Sequence, residues 1–318
     1  MRALTLLFLS AALSLCVACS DSITSAPTVT VSVQPLRYFV ENIAGPHFEV
    51  NTLVPAGASP ETYELTPRQV VEVSDSRLYF SVGTLGFERE RLDKLTANAP
   101  RLVTVNVSDS IPLMEGCDDG HEEEHGGIDL HTWTSVSSGR QIARNVCEAL
   151  CKADTTHAAF FIERRDSLLR HIDSLEVSIR ALLDQKHERT FVIYHPALGY
   201  FARDFGLHQL AVEHNGKEPS AEHLQQLIHQ ARAAGVKVVF VQEEHAGRAA
   251  RRLAEAIGAR VVSIAPLSAE WDKQLLHIAR ALAQPSSLVL SPSSFLSPLP
   301  YSCKLSISLI HFKTSCGG

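Results

Sequence analysis

The chain has 318 residues, 45% of them hydrophobic and 20% charged, with a formal net charge of -6. That composition is globular, and the length allows two lobes or one large domain. The net negative charge and the scattered Lys and Arg argue against nucleic acid as a partner, while fifteen histidines hint at metal chemistry.

The first nineteen residues have the order of an export signal. Arg2 supplies the positive start, Leu4 to Val17 the apolar stretch, and Ala18-Cys19 the cleavage site. A stretch this short makes a poor transmembrane helix. The small residues before Cys19 and the polar run after it resemble a bacterial lipoprotein signal, which implies Cys19 as a lipid-modified N-terminus anchored to the membrane. Simple secretion is the alternative, because Cys16 stands where such signals usually carry Leu. The remaining cysteines form no C-x-x-C pair. Cys147 and Cys151, one helical turn apart, are expected to be structural thiols.

Thr28 to Val33 alternates as a first strand, Leu36 to Ile43 has helical spacing, and Phe48 to Val54 is a second strand before the turn-rich Pro55–Pro60. Thr66 as N-cap, Pro67 at the first position and Gln69 three residues on specify a helix start with a capping box. Leu78 to Val82 and Leu102 to Val105 are further short strands. The segment 115–127 is an acidic loop bearing His121 and His125, and order returns at Ile128–Trp133. From about Thr155 to Lys186, Phe161, Leu168, Ile172, Leu175, Ile179 and Leu182 form one apolar stripe free of Gly and Pro. Such a helix would reach roughly 45 Å and suits a spine between lobes. An ordinary helix hairpin is the competing arrangement.

The second half repeats the pattern: strand Thr190–Tyr194, a helix from Pro219-Ser220 to Ala234, strand Val236–Val241, helix Arg248–Ile257, strand Arg260–Ile264 and a last helix from about Ala269 to Ala283. Strands alternating with helices indicate an α/β fold of two parallel-sheet lobes. The expected organisation is a signal at 1–19, a polar leader at 20–27, an N-terminal lobe at 28–154, a linking helix at 155–186 and a C-terminal lobe at 187–284. The Ser- and Pro-rich tail at 285–318 is expected outside the core.

Three metal-capable side chains sit in a turn or just past a strand: Glu61, His131 and His195. In open α/β sheets ligands collect beyond the carboxyl ends of strands, so the three can converge in a cleft. Two imidazoles and a carboxylate suit zinc. Taken singly, any of these histidines is more often a surface or core residue. The histidines at 157, 171, 187, 223, 229 and 277 are expected on helix surfaces. His121-Glu122-Glu123-Glu124-His125 matches H-E-x-x-H, but flanking glycines and the lack of an apolar face argue against the helix a protease site needs.

From about Val29 to Ala283 the sequence resembles the cluster A-I family of zinc and manganese ABC-transporter binding proteins. The resemblance is carried by Val54-Pro-Ala-Gly-Ala-Ser-Pro-Glu-Thr-Tyr-Glu64, Asp129-Leu-His-Thr-Trp133 after the His-bearing loop, His195-Pro-Ala-Leu-Gly-Tyr-Phe-Ala-Arg-Asp-Phe-Gly206 and Ala265-Pro-Leu-Ser-Ala-Glu-Trp271. It implies two α/β lobes joined by one long helix, metal bound between them, and a monomer that delivers zinc to the membrane permease of an ABC importer. His131 and His195 would be the second and third ligands. Glu61 stands where the family usually has His, which shifts the site slightly toward harder ions such as Mn2+. Ala265 stands where the family has a fourth, Asp ligand, leaving that position to water or to Glu243 or Glu244, with Glu244 favoured. Two solvated surface glutamates are the other reading. A manganese-specific binder and a surface adhesin are the rival uses of the same fold.

Overall fold

Eight short strands form two separate four-stranded sheets in the computed structural model, which describes residues 26–97, 99–116, 127–184, 186–213, 219–243 and 248–284. The export signal with Cys19, the His121–His125 segment, Glu244 and the tail from Pro285 lie outside the described residues. The first sheet holds β1 (Thr28–Val31), β2 (Glu49–Thr52), β3 (Leu78–Ser81) and β4 (Val103–Asn106), in the order β2-β1-β3-β4. The second holds β5 (Thr190–Ile193), β6 (His208–Ala211), β7 (Val238–Gln242) and β8 (Arg260–Ile264), in the order β6-β5-β7-β8. Every pairing is parallel. The two sheets share one doubly wound order, so each has a switch point beside its first strand.

Parallel strands covered on both faces need continuous apolar runs. Central β3 and β7 have them, with every residue buried, whereas the edge strands β2 and β6 are more polar and more exposed. Helices α1 (Gln34–Ala44), α2 (Pro67–Ser74), α3 (Gly86–Ala97) and α4 (Val136–Ala153) accompany the first sheet. Helices α6 (Gly199–Phe205), α7 (Ala221–Ala233), α8 (Arg248–Ile257) and α9 (Trp271–Ala283) follow the second lobe's strands. Helix α2 starts as the sequence specifies: the Thr66 side chain accepts from the Gln69 N–H, and the Gln69 side chain reaches back to the Thr66 N–H.

Between the lobes runs α5 (Ala158–Leu183), 26 residues long. It begins three residues later than its apolar stripe suggests, because the Asp154 side chain accepts from the Thr156 and His157 N–H groups and holds Thr155–His157 as a 3-10 turn. The stripe itself is buried at Phe161, Leu168, Ile172, Leu175 and Ile179, with Leu183 rather than Leu182 closing it.

One contiguous core spans both sheets, taking Val29 and Phe80 from the first and Phe191 and Phe240 from the second. A smaller cluster around Val239, Leu227 and Leu253 closes the far side of the second lobe. Trp271, at the start of α9, packs on Tyr38 and Phe39 of α1, with ring centroids 5.5 and 4.9 Å apart. Gly139 on α4 makes room for it: a Cβ there would lie 2.7 Å from the indole. No helix among the described residues is long and apolar enough to cross a membrane.

Candidate metal centre

The turn after β2 carries Glu61. It is tied down by Gln69, whose Nε2 donates to the Leu53 carbonyl at 2.6 Å and whose Oε1 accepts from the Tyr63 hydroxyl at 3.2 Å. A second turn backs it. Buried Glu88, in the first turn of α3, accepts from the backbone N–H groups of Val82 and Gly83 at 2.8 and 2.6 Å and from the Ser32 hydroxyl. Burial raises the Glu88 pKa against the pull of these donors. The turn so fixed places Gly86 against the Glu61 carbonyl and lets the Thr84 hydroxyl donate to the Leu130 carbonyl at 3.4 Å.

His131 opens the 3-10 turn Thr132–Thr134 and is buried. Asp129 Oδ1 accepts from both its backbone N–H and its ring Nδ1, each at 2.9 Å. An ionised carboxylate only accepts, so the proton sits on Nδ1 and Nε2 is left to face the cleft. Two indoles hold this segment against the second lobe. Trp133 Nε1 donates to the Pro266 carbonyl at 3.0 Å, and Trp271 Nε1 donates to the Trp133 carbonyl at 2.5 Å.

His195 lies two residues past β5, at the carboxyl end of the second sheet. Gln242, the last residue of β7, holds its backbone from both sides: Oε1 accepts from the His195 N–H at 3.3 Å and Nε2 donates to its carbonyl at 2.5 Å. The ring Nδ1 faces Glu213 Oε2 at 3.3 Å. Burial lowers the pKa of this ring, but the hydrogen bonds and charges of Glu213 and Glu61 outweigh it and raise it from 6.5 to about 10. Without metal the ring is therefore a cation at neutral pH, held between two carboxylates.

Three of the four residues expected at the site come together. Glu61 Oε1 is 3.1 Å from His195 Nε2 and 3.6 Å from His131 Nε2, and the two Nε2 atoms are 3.3 Å apart. Tetrahedral donors about 2.0–2.1 Å from a zinc ion are separated by roughly 3.3 Å, so this triangle already has the edge lengths of one face of such a site. Among the described residues it is the group of His, Cys, Asp and Glu side chains close enough to share an ion. The histidine side chains are 8% and 13% exposed against 29% for Glu61, which makes Glu61 the donor facing solvent. Ser59, Pro60, Trp133, Ala197, Pro266 and Leu267 line the recess around them.

Ala265 follows the end of β8; its N–H is bonded to Gln274 Oε1 and its side chain offers no donor atom. Glu243 is exposed and is not part of the converging group. Sequence reasoning missed Asp129 and Glu213, the two carboxylates behind the histidines. Asp129 lies two residues before His131, a spacing that could have been recognised; Glu213 follows an unremarked edge strand and carries no local signal. The other histidines are less uniformly superficial than expected. His187 lies in a loop, and His157 is half-buried, stacked on His47 with ring centroids 3.8 Å apart.

A profile for the zinc-uptake complex component A, periplasmic (ZnuA), matches residues 29–284. The high-affinity zinc uptake system protein ZnuA of Bacillus subtilis is 26% identical over 269 residues, covering 79% of this chain and 82% of that protein. The zinc-binding protein AdcA of Streptococcus pyogenes is 24% identical over 267 residues, 78% of this chain and 52% of AdcA. A crystal structure of ZnuA superposes with a TM-score of 0.76 at 30% identity, covering 82% of this chain and all of that one. The profile covers most of the chain, including all three converging residues, and the chain therefore belongs to the zinc-uptake complex component A family.

Proposed function

We propose that this protein captures zinc outside the cytoplasm and delivers it to the membrane permease of an ABC importer, with Glu61, His131 and His195 as the ligands. The observation that carries this reading is the triangle of Nε2, Nε2 and Oε1 atoms at 3.1–3.6 Å, with both rings oriented by carboxylates on Nδ1. The names of the relatives, a zinc uptake protein and a zinc-binding protein, agree with it. The work is binding rather than catalysis. Glu244 or a water completes the coordination. Cleavage between Ala18 and Cys19 leaves Cys19 as the lipid-anchored N-terminus, and the mature protein is a monomer. The functional units are the lobes 28–154 and 187–284 around the linking segment 155–186, with 285–318 outside them.

Metal content and competitive calorimetry of the protein with zinc and manganese test the reading. One tightly bound zinc, lost in His195→Ala, supports it; no tight binding of either ion sinks it. A second reading is favoured by one specific residue: the Glu61 oxygen donor suits manganese better than the imidazole usual there. A preference for manganese in the same titration would keep the site and change the cargo.

A further inference from the structure

Outside the metal centre, a polar cluster joining the two lobes lies around Asp204. Its carboxylate, on the last turn of α6, crosses to the start of α4. Oδ2 accepts from the Ser135 hydroxyl at 2.5 Å and the Ser137 N–H at 3.0 Å, and Oδ1 accepts from the Ser137 hydroxyl at 2.8 Å. Arg203 closes the cluster, donating to both serine hydroxyls and to Asp204 Oδ1. The Asp204 side chain is only 9% exposed, although its bonds to Ser137 lie at the surface. Ser135 also caps α4, accepting from the Ser138 N–H at 3.0 Å.

The placement matters because each end of the contact belongs to a segment that bears a histidine. Ser135 directly follows the 3-10 turn that His131 opens, and α6 begins four residues after His195. The same two segments meet again nearer the rings. The Tyr200 hydroxyl donates to the Asp129 carbonyl at 3.2 Å, and Gly199 comes so close to the Asp129 carboxylate that any Cβ there would overlap it.

We infer that Asp204 is a positioning residue for metal capture: it clamps the His131 segment to the His195 segment in the absence of metal and so fixes the spacing of the two imidazoles. Zinc then meets a preformed pair of nitrogens, and little ordering is left for the ion to drive. The inference rests on His131 and His195 being the ligands.

The test uses Asp204→Asn, which keeps the shape but loses acceptor capacity, and Ser137→Ala at an exposed position where folding is not at stake. Two quantities are read in the full chain: zinc affinity by competition with a chromophoric chelator, and amide hydrogen exchange of residues 135–139 in metal-free protein. Asp204→Asn is expected to weaken zinc by about tenfold and Ser137→Ala by about threefold. The double variant should lose no more than Asp204→Asn alone, and the ligand field of bound Co2+ should change. Faster exchange at 135–139 should accompany each loss. Unchanged exchange, or faster exchange with zinc affinity and Co2+ spectrum intact, would overturn the inference and leave Asp204 a stability contact only. If the unaltered protein bound no zinc, the capture reading would fall and this inference with it, and exchange at 135–139 would report only whether Asp204 joins the two segments.

Discussion

Glu213 Oε2 lies 3.3 Å from His195 Nδ1, and on the opposite side of the same ring Glu61 Oε1 lies 3.1 Å from Nε2. The imidazole is thus threaded between one carboxylate that orients it and another that would share its ion. Asp129 does for His131 what Glu213 does for His195, so each lobe contributes a histidine already backed by an acid. Glu213→Gln should therefore weaken zinc binding by about 10–100-fold while the fold survives. Chelator competition measures the affinity and circular dichroism the fold; an affinity within twofold of the unaltered protein would assign Glu213 no part in orienting the ring.

The raised His195 pKa sets a direction for pH. With a metal-free value of about 10, the ring carries a proton at pH 7 that zinc must displace. Calorimetry at pH 7–8 in buffers of different ionisation enthalpy should show about one proton released per zinc from this ring. Apparent affinity should climb about tenfold per pH unit until His195 is deprotonated. The stability of the metal-free protein runs the other way. A folded pKa above the unfolded 6.5 gives stabilisation that is complete below 6.5 and is lost as pH rises toward 10, so its melting temperature should fall across that window. A flat melting profile would contradict it.

His131→Ala and His195→Ala should each cut zinc affinity by orders of magnitude, since each removes one of three donors from a site only one ion wide. Glu61→His should keep binding and move selectivity toward zinc over manganese, because a nitrogen replaces a harder oxygen. The zinc-to-manganese ratio of dissociation constants reads this directly. A ratio unmoved by Glu61→His would show that Glu61 does not touch the ion.

Thr66→Ala should cost about 1 kcal/mol by removing the cap of α2. Gln69→Ala should do more than destabilise: it also frees Leu53 and Tyr63 on either side of the Glu61 turn, so zinc affinity should drop along with the melting temperature. Thr66→Ala with nearly native affinity beside Gln69→Ala with reduced affinity is the expected pair of results from denaturation and competition titration.

The alternation of strands and helices, the capping box at Thr66 and the stripe on α5 were legible because each is a local signal that the tertiary structure reinforces. Helix α8 and strand β8 have the ends expected of them for the same reason. The edge strand His208–Ala211 was not legible, since half-buried positions leave little apolar pattern. Helix α6, two turns long, is set by its packing rather than by periodicity; Gly206 in the left-handed region ends it. Glu61, His131 and His195 stood out as metal-capable residues at turns and strand ends. Glu213 was invisible as a partner because its role exists only once β5 and β6 have been brought together, whereas Asp129, two residues before His131, makes a local contact that its spacing already offered.

Trp271 fills a hollow in the first lobe although it belongs to the last of the described helices. A polypeptide emerging N-terminus first can pair β1 to β4 early, yet it cannot seal the space beside Phe39 until some 230 further residues have followed. The first half of the molecule thus waits on the second for its final closure. Synthesis cut short before α9 would leave an open apolar wound at Tyr38 and Phe39, where chaperones or proteases could take hold, and only the finished chain escapes them.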